Sequence, residues 1–420
     1  MPDANALDYT GANASAFDTL RIRFITEPLQ SRLGQSSDTD IQIRAILSEV
    51  LPAVQATWTS RLDVVQVQGN IPIRNEDCFG AFEGFLPSSL LESGVEEADL
   101  VVFVGGFDSM RFGGDAFEVC APGVTLAVAT SCALDQFDRP VVGFINFCLS
   151  NSARRLEEDD ATSNSLPKVE MPNLIAESDL EFNQGSVPDF DTVDTTLIAT
   201  HEVGHVLGVD SDLFIFFRDP TTGEPLTPRP FEKELVTCVD GETVFRYFPS
   251  ENTIKSEVTS RGRLSFAVVT PRVATVARNQ FDCQSLNGAR LENDLGNRCS
   301  GSSHFDERLF FSEIMGPIFS GTADMLSPLT LALLEDSGWY QVYYDDAQVS
   351  PFGLGLGCDF VNKDCIINDE VPDYASGVFC ADVTRITSGK LSNDTDTLCD
   401  PTHRSIAYCD LFYIDEAFDT

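Results

Sequence analysis

Apolar and polar residues alternate through Thr19–Thr26 (TLRIRFIT), the period of a half-buried strand. From position 40 the period changes. Ile41, Ile43, Ile46, Leu47, Val50, Leu51 and Val54 follow helical spacing, with Pro52 a point of kink or break. DVVQVQ (63–68) and DLVVFVGG (99–106) predict further strands. VTLAVATSC (124–132) and PVVGFINFC (140–148) predict two more, joined as a hairpin by ALDQFDR. The acidic stretch 155–165 reads as an exposed loop. DTTLIATHEVGHVLG (194–208) reads as a helix, with Asp191, Thr192 or Asp194 available to cap it and Gly208 to end it. Beyond it the pattern weakens. Residues 219–230 form a Pro- and Gly-rich loop, and 263–281 fit either a strand or a helix. Ser327 followed by Pro328 starts a short helix. From 353 onward Gly, Cys and Asp dominate and periodicity is poor, which predicts a loop-rich, disulfide-stapled tail.

Composition narrows the class. A chain of 420 residues, 43% of them hydrophobic, can bury a sizeable core. Its formal net charge of -39 makes nucleic acid and anionic membrane surfaces poor partners. No apolar run is long enough to span a bilayer, so membrane attachment would need an anchor not visible here. Twelve cysteines without a C-x-x-C pair favour disulfides in an oxidising compartment over zinc ribbons. The sequons at Asn13 and Asn393 agree with an extracellular, secreted or cell-surface location. Residues 1–20 contain no signal peptide, so the expectation is a chain that starts after its targeting segment.

The chemistry concentrates in HEVGHVLG (201–208). His201 and His205, four apart, project from one helix face and can share a metal ion. Glu202 lies about 100° around the helix, beside the ion and not on it, where a general base belongs. A chance HExxH on an amphipathic helix is the bland alternative, which Gly208 and the apolar flanks weaken. Many zinc peptidases place a third histidine three residues after the glycine, but here that position is Ser211. Of the four histidines, two are in the motif. His304, in SSHFDERLFFSEIMGP, stands eleven residues before Met315 in an EIM turn, the position of a methionine beneath the zinc in metzincins. His403 has no such company and reads as structural or surface. A downstream glutamate (Glu224, Glu232 or Glu234) is the other possible third ligand.

In combination these stretches are specific. ATHEVGHVLG, SSHFDERLFFSEIMGP, LSPLTLALLEDSGWYQVYY, GLGLGCDF and the upstream GVTLAVATSCALDQFDRPVVGFINFC resemble the leishmanolysin family of zinc endopeptidases, over roughly residues 97–360. In that family an inserted domain displaces the third histidine. The resemblance implies an α+β fold: a metzincin-type catalytic lobe with a mixed twisted sheet and the HExxH helix (1–212), a central domain carrying the third ligand and Met-turn (213–340), and a Cys-rich, loop-rich C-terminal domain (341–420). It implies one Zn2+ per chain on His201, His205 and His304, Glu202 as base, Met315 packed beneath, and protein or peptide substrates. Val124, Thr125, Leu126, Ala127, Val128, Ala129 and Thr130 would form the edge strand that pairs with extended substrate. Asp210 or Asp212 is available to orient a ligand histidine, with a solvated helix end as the plainer role. The 99 residues from His205 to His304 are long for the family, and no propeptide cysteine is visible, Cys78 being more suited to a disulfide. A non-catalytic adhesin or binding protein on the same scaffold is the alternative function.

Four cysteines precede the motif helix, three lie between it and His304, and five follow. If all pair and the first four pair among themselves, the two odd groups must share a bridge, for which Cys283–Cys358 is the expectation. Cys120–Cys148 would close the hairpin's open end and leave Cys78–Cys132. Connectivity itself is not fixed by sequence.

Overall fold

The computed structural model describes residues 17–113, 115–121, 125–149, 181–182, 191–259, 262, 264–293, 299, 301–320, 324–368, 370–380, 397–399 and 406–408. The 155–165 loop, both sequons, Val124 and His403 lie outside them. The described chain mixes helix and sheet, as expected.

One four-stranded sheet organises the first half. Its strands are β1 (Ile22–Ile25), β2 (Leu100–Gly105), β3 (Ala127–Leu134) and β4 (Pro140–Phe147), in spatial order β1-β2-β4-β3. β1, β2 and β4 run parallel, with Ile22 opposite Leu100 and Val101 opposite Val142. β3 returns antiparallel to β4, Ala127 opposite Phe147, and is the terminal strand. Every residue of β2 and β4 is buried, because interior parallel strands are covered on both faces; hence their unbroken apolar runs. Alternate side chains of β2 feed two cores. Leu100, Val102 and Val104 join the main one, Val101 and Phe103 a smaller one around Phe82 and Phe144.

The alternating stretch 19–26 is two strands, not one. Phe17–Thr19 and Ile22–Ile25 belong to different sheets. The break is fixed from a distance: the buried carboxylate of Asp99 accepts Arg21 N (3.0 Å), Arg21 Nε (2.9 Å) and Val67 N (2.7 Å). The helical pattern after 40 forms α1 (Ser37–Ala45), a π-helical turn (Ile46–Val50) and α2 (Leu51–Thr59), with no break in the run. The turn explains how Pro52 is tolerated. Proline has no N–H to donate and crowds the carbonyl four residues back, and the wider i→i−5 turn, closed by Leu51 N on Ile46 O, precedes it.

α3 (Thr192–Leu207) is capped by Asp191, which accepts Val193 N at 2.6 Å. Beyond it, a two-stranded ribbon, β5 (Lys233–Thr237) with β6 (Thr243–Tyr247), precedes a three-stranded antiparallel sheet of β7 (Ile254–Val258), β8 (Leu264–Val268) and β9 (Ala289–Arg290). The ambiguous stretch 263–281 is both elements in turn: β8, then α4 (Pro271–Phe281), divided where Pro271 suits a first helical turn but not a strand interior. α5 (Pro328–Asp336) starts as expected, Ser327 Oγ accepting Leu329 N at 3.0 Å. Next to it, Tyr340–Val342 pairs antiparallel with Leu62–Val65, so the main core gathers residues from Leu20 to Ala375.

Cys78–Cys132, Cys120–Cys148 and Cys283–Cys358 are bridged as expected, and Cys238–Cys299 is a further pair. Cys380 is also disulfide-bonded. Full pairing is not found: Cys365 and Cys399 are free thiols.

Candidate metal centre

The last two turns of α3 supply two imidazoles, both buried. The third comes from the segment after β9, where Ser302 Oγ accepts His304 N (3.0 Å) and Glu292 N bonds His304 O (3.0 Å). The Cys238–Cys299 bridge holds this segment five residues upstream of His304. His201, His205 and His304 meet with one ring nitrogen each, all three within 4.8 Å of one another. The Nε2 atoms of His201 and His205 are 2.9 Å apart, and those of His201 and His304 are 3.3 Å apart.

Backbone carbonyls set the orientation. His201 Nδ1 donates to Ile314 O (2.5 Å) and His205 Nδ1 to Val209 O (2.6 Å). A carbonyl only accepts, so the proton is on Nδ1 and each Nε2 presents a lone pair to the centre. Burial, with smaller effects from neighbouring imidazoles, pushes His201 and His304 well below the usual histidine range; burial pushes His205 down to about 4. The lone pairs of His201 and His205 converge at short range and repel one another unless a cation lies between them, and His304 brings a third ring nitrogen to the same point. The donor set therefore fits a soft-to-borderline divalent ion with nitrogen ligands.

Met315, fully buried, packs against the motif helix at Gly204. A Cβ on Gly204 would fall 2.7 Å from Met315 Sδ, so the glycine inside HEVGH is needed for the close approach of helix and turn. The turn is closed by Gly316 N on Glu313 O (2.9 Å) and tied back by Phe305 N on Met315 O (2.9 Å). Gly208 ends α3 at φ +139°, and a Cβ there would meet the Trp339 ring at 2.9 Å. Glu202 is completely buried on α3 between the two helix histidines in sequence.

Other candidates fall away from the cluster. Ser211 donates its N–H to Ser303 Oγ (2.9 Å) and is not a member. Glu224, Glu232 and Glu234 are exposed and also outside it. Neither Asp210 nor Asp212 orients His205, since Val209 O does. Asp212 is exposed, while half-buried Asp210 accepts Asp212 N (2.9 Å) and Thr130 Oγ1 (3.5 Å). Burial, then the charge of Asp212, pushes Asp210 up to about 6. Of the expected edge strand, Thr125 and Leu126 precede β3, and Ala127, Val128, Ala129 and Thr130 lie in it. The outer edge of β3 has no partner strand among the described residues. Sequence reasoning missed Gly204, Ile314 O and Val209 O; the carbonyls have no residue-type signal at all.

Comparison with known proteins identifies the family. The sequence model of the leishmanolysin family matches residues 36–162 and 178–418. The chain belongs to the leishmanolysin family. A leishmanolysin-like peptidase of Drosophila pseudoobscura pseudoobscura is 30% identical over 338 residues, 76% of this chain and 40% of that protein. A leishmanolysin-like peptidase of Caenorhabditis elegans is 29% identical over 333 residues (76% and 43%), and leishmanolysin of Leishmania donovani is 24% identical over 360 (84% and 46%). The chain thus spans less than half the length of these leishmanolysin relatives.

Proposed function

We propose that this chain is a zinc-dependent endopeptidase acting on protein or peptide substrates. The observation that carries the reading is the convergence of three buried, neutral imidazoles, two of which (His201 and His205) turn their Nδ1 protons to backbone carbonyls and away from the centre. His201, His205 and His304 would hold one zinc ion, which when bound supplies a Lewis acid that acidifies water and polarises the scissile carbonyl. Glu202 takes the proton of the attacking water and returns it to the leaving amine. Its burial strengthens both transfers by excluding competing solvent. Met315 fixes the floor and does not react. Extended substrate aligns along β3, whose backbone groups pair with it as an added strand.

The bridged cysteines support an extracellular or cell-surface setting. Among the described residues, no helix is long and apolar enough to cross a membrane. The three-segment division at 212 and 340 remains our reading of how the insert carries the third ligand to the helix.

The test is cleavage of an unfolded protein by wild type and Glu202→Ala, with zinc measured on both. We expect one zinc per chain in each, and turnover reduced on the order of 100-fold or more in the variant. Zinc in both with no cleavage by wild type would replace this reading with the non-catalytic binding protein.

A further inference from the structure

Glu313 immediately precedes Ile314, whose carbonyl orients His201, and its side chain is buried. Its carboxyl is buried and held from the start of α5: Ser327 Oγ donates to Oε2 and Thr330 Oγ1 to Oε1 (2.6 Å). The backbone N–H groups of Met315 and Ser327 are further donors. Four donors match the roughly four acceptor sites of an ionised carboxylate. Nothing remains for a ligand, although a cavity of about 210 Å³ lies against this group between α4 and α5. Among the described residues, Glu313 is the sole charged one lining that cavity; Asn279 and Gln280 of α4 and Ser350 present neutral atoms. A buried carboxylate without a cation is costly to keep, so its presence calls for a role.

We propose that Glu313 is a positioning residue for the metal. By pinning the turn 313–316 to the N-terminus of α5, it fixes the Ile314 carbonyl that sets the tautomer and aim of His201. The inference rests on the metal-centre reading above. The physical link is short. The turn's own hydrogen bonds run through Glu313 O and Met315 N–H, and Ile314 O is 2.5 Å from His201 Nδ1. Loss of the brace lets that carbonyl wander, and a histidine whose Nδ1 acceptor is loose gives up part of its fixed aim.

Glu313→Gln separates bracing from filling space. The amide has the same shape, but its NH2 faces donors and cannot accept from them. We expect zinc affinity, measured by chelator competition, to weaken on the order of tenfold. The control is Val273→Ala, a cavity in buried α4 that lowers Tm without touching the turn. It should leave zinc affinity unchanged. A pH series gives the second readout. Burial, opposed by the hydrogen bonds, pushes the Glu313 carboxyl up to about 7. The wild type should therefore lose zinc affinity more steeply than Glu313→Gln between pH 8 and 6. If Glu313→Gln fails to fold, Thr330→Val, which removes one donor, replaces it with a smaller expected loss. Equal zinc affinity in wild type and the turn variant overturns the proposal, as does an equal loss in Val273→Ala. Failure of the wild type itself to bind zinc overturns the metal-centre reading, and this inference with it.

Discussion

The two halves of the candidate metal centre are built by different means. His201 and His205 belong to one helix, where the α-helical repeat alone places them on a common face, and Val209, four residues on, supplies the acceptor for His205. The other half is a pair of loops. His304 and the Met-turn come from 302–316, far along the chain, and depend on Ser302, on Phe305 N to Met315 O, on Glu313 and on the Cys238–Cys299 bridge. The helix half is a consequence of local geometry; the loop half is assembled from distant parts. Besides the imidazoles themselves, the halves meet where His201 Nδ1 bonds Ile314 O and where Gly204 lies against Met315.

The sharpest way to break the comparison is to delete one ligand from each half. His205→Ala and His304→Ala should both lose stoichiometric zinc on dialysis, together with any peptidase activity. Glu232→Ala and Glu234→Ala, which are exposed, should keep both. Full zinc retention by His304→Ala would mean that the loop half is not part of the centre.

A smaller effect probes how the helix half is seated. Gly208→Ala places a Cβ against the rigid Trp339 ring in a backbone conformation that L residues rarely adopt. Strain of about 1–3 kcal/mol and overpacking of similar size should add, while zinc binding by the folded fraction survives. Urea denaturation checks it; a midpoint within error of wild type would show that Gly208 is not required where α3 ends.

This division also governs what the sequence could reveal. The helix half was legible because its chemistry repeats at a spacing that physics dictates: His201, Glu202, His205 and Gly208 announce themselves. His304 and Met315 were legible only together, as two rare residues at a telling separation. Parity asks only for some bridge between the central and tail cysteines, and only if all pair; Cys283–Cys358 is formed although Cys365 and Cys399 are free. What stayed hidden depends on partners remote in sequence. Arg21 breaks the first strand because Asp99 claims it, and nothing near Arg21 signals that. Glu313 looks like a surface acid in SEIMGP until α5 folds over it. Asp210 and Asp212 stand out as orienting groups because side chains are visible in a sequence, whereas the groups that orient His201 and His205 are carbonyls.

The loop half carries a buried acid whose carboxyl is pushed far up, and this gives the smallest and most specific test. Glu307, three residues after His304, has a half-buried side chain whose Oε2 is shielded from solvent, with no hydrogen-bond partner among the described residues. Burial, then Glu292, Asp324 and Asp306, pushes its carboxyl up to about 9. The folded chain therefore keeps this proton at neutral pH, while the unfolded chain, with a carboxyl near 4.5, releases it. A group whose folded pKa is raised contributes stability below the unfolded value and loses it as pH rises, here between about 4.5 and 9. Glutamine cannot ionise in either state. Metal-free Glu307→Gln should match wild type near pH 4.5 and exceed it by on the order of 1–3 kcal/mol at pH 7, the gap still widening toward pH 9. The buried histidines work in the opposite sense: neutral when folded, they contribute stability above pH 6.5 that fades as pH falls toward about 4 for His205. They are common to both proteins and cancel in the difference. A gap that does not change with pH would mean that Glu307 is ionised in the folded chain, and that the loop half holds its acids as charges and not as neutral carboxyls.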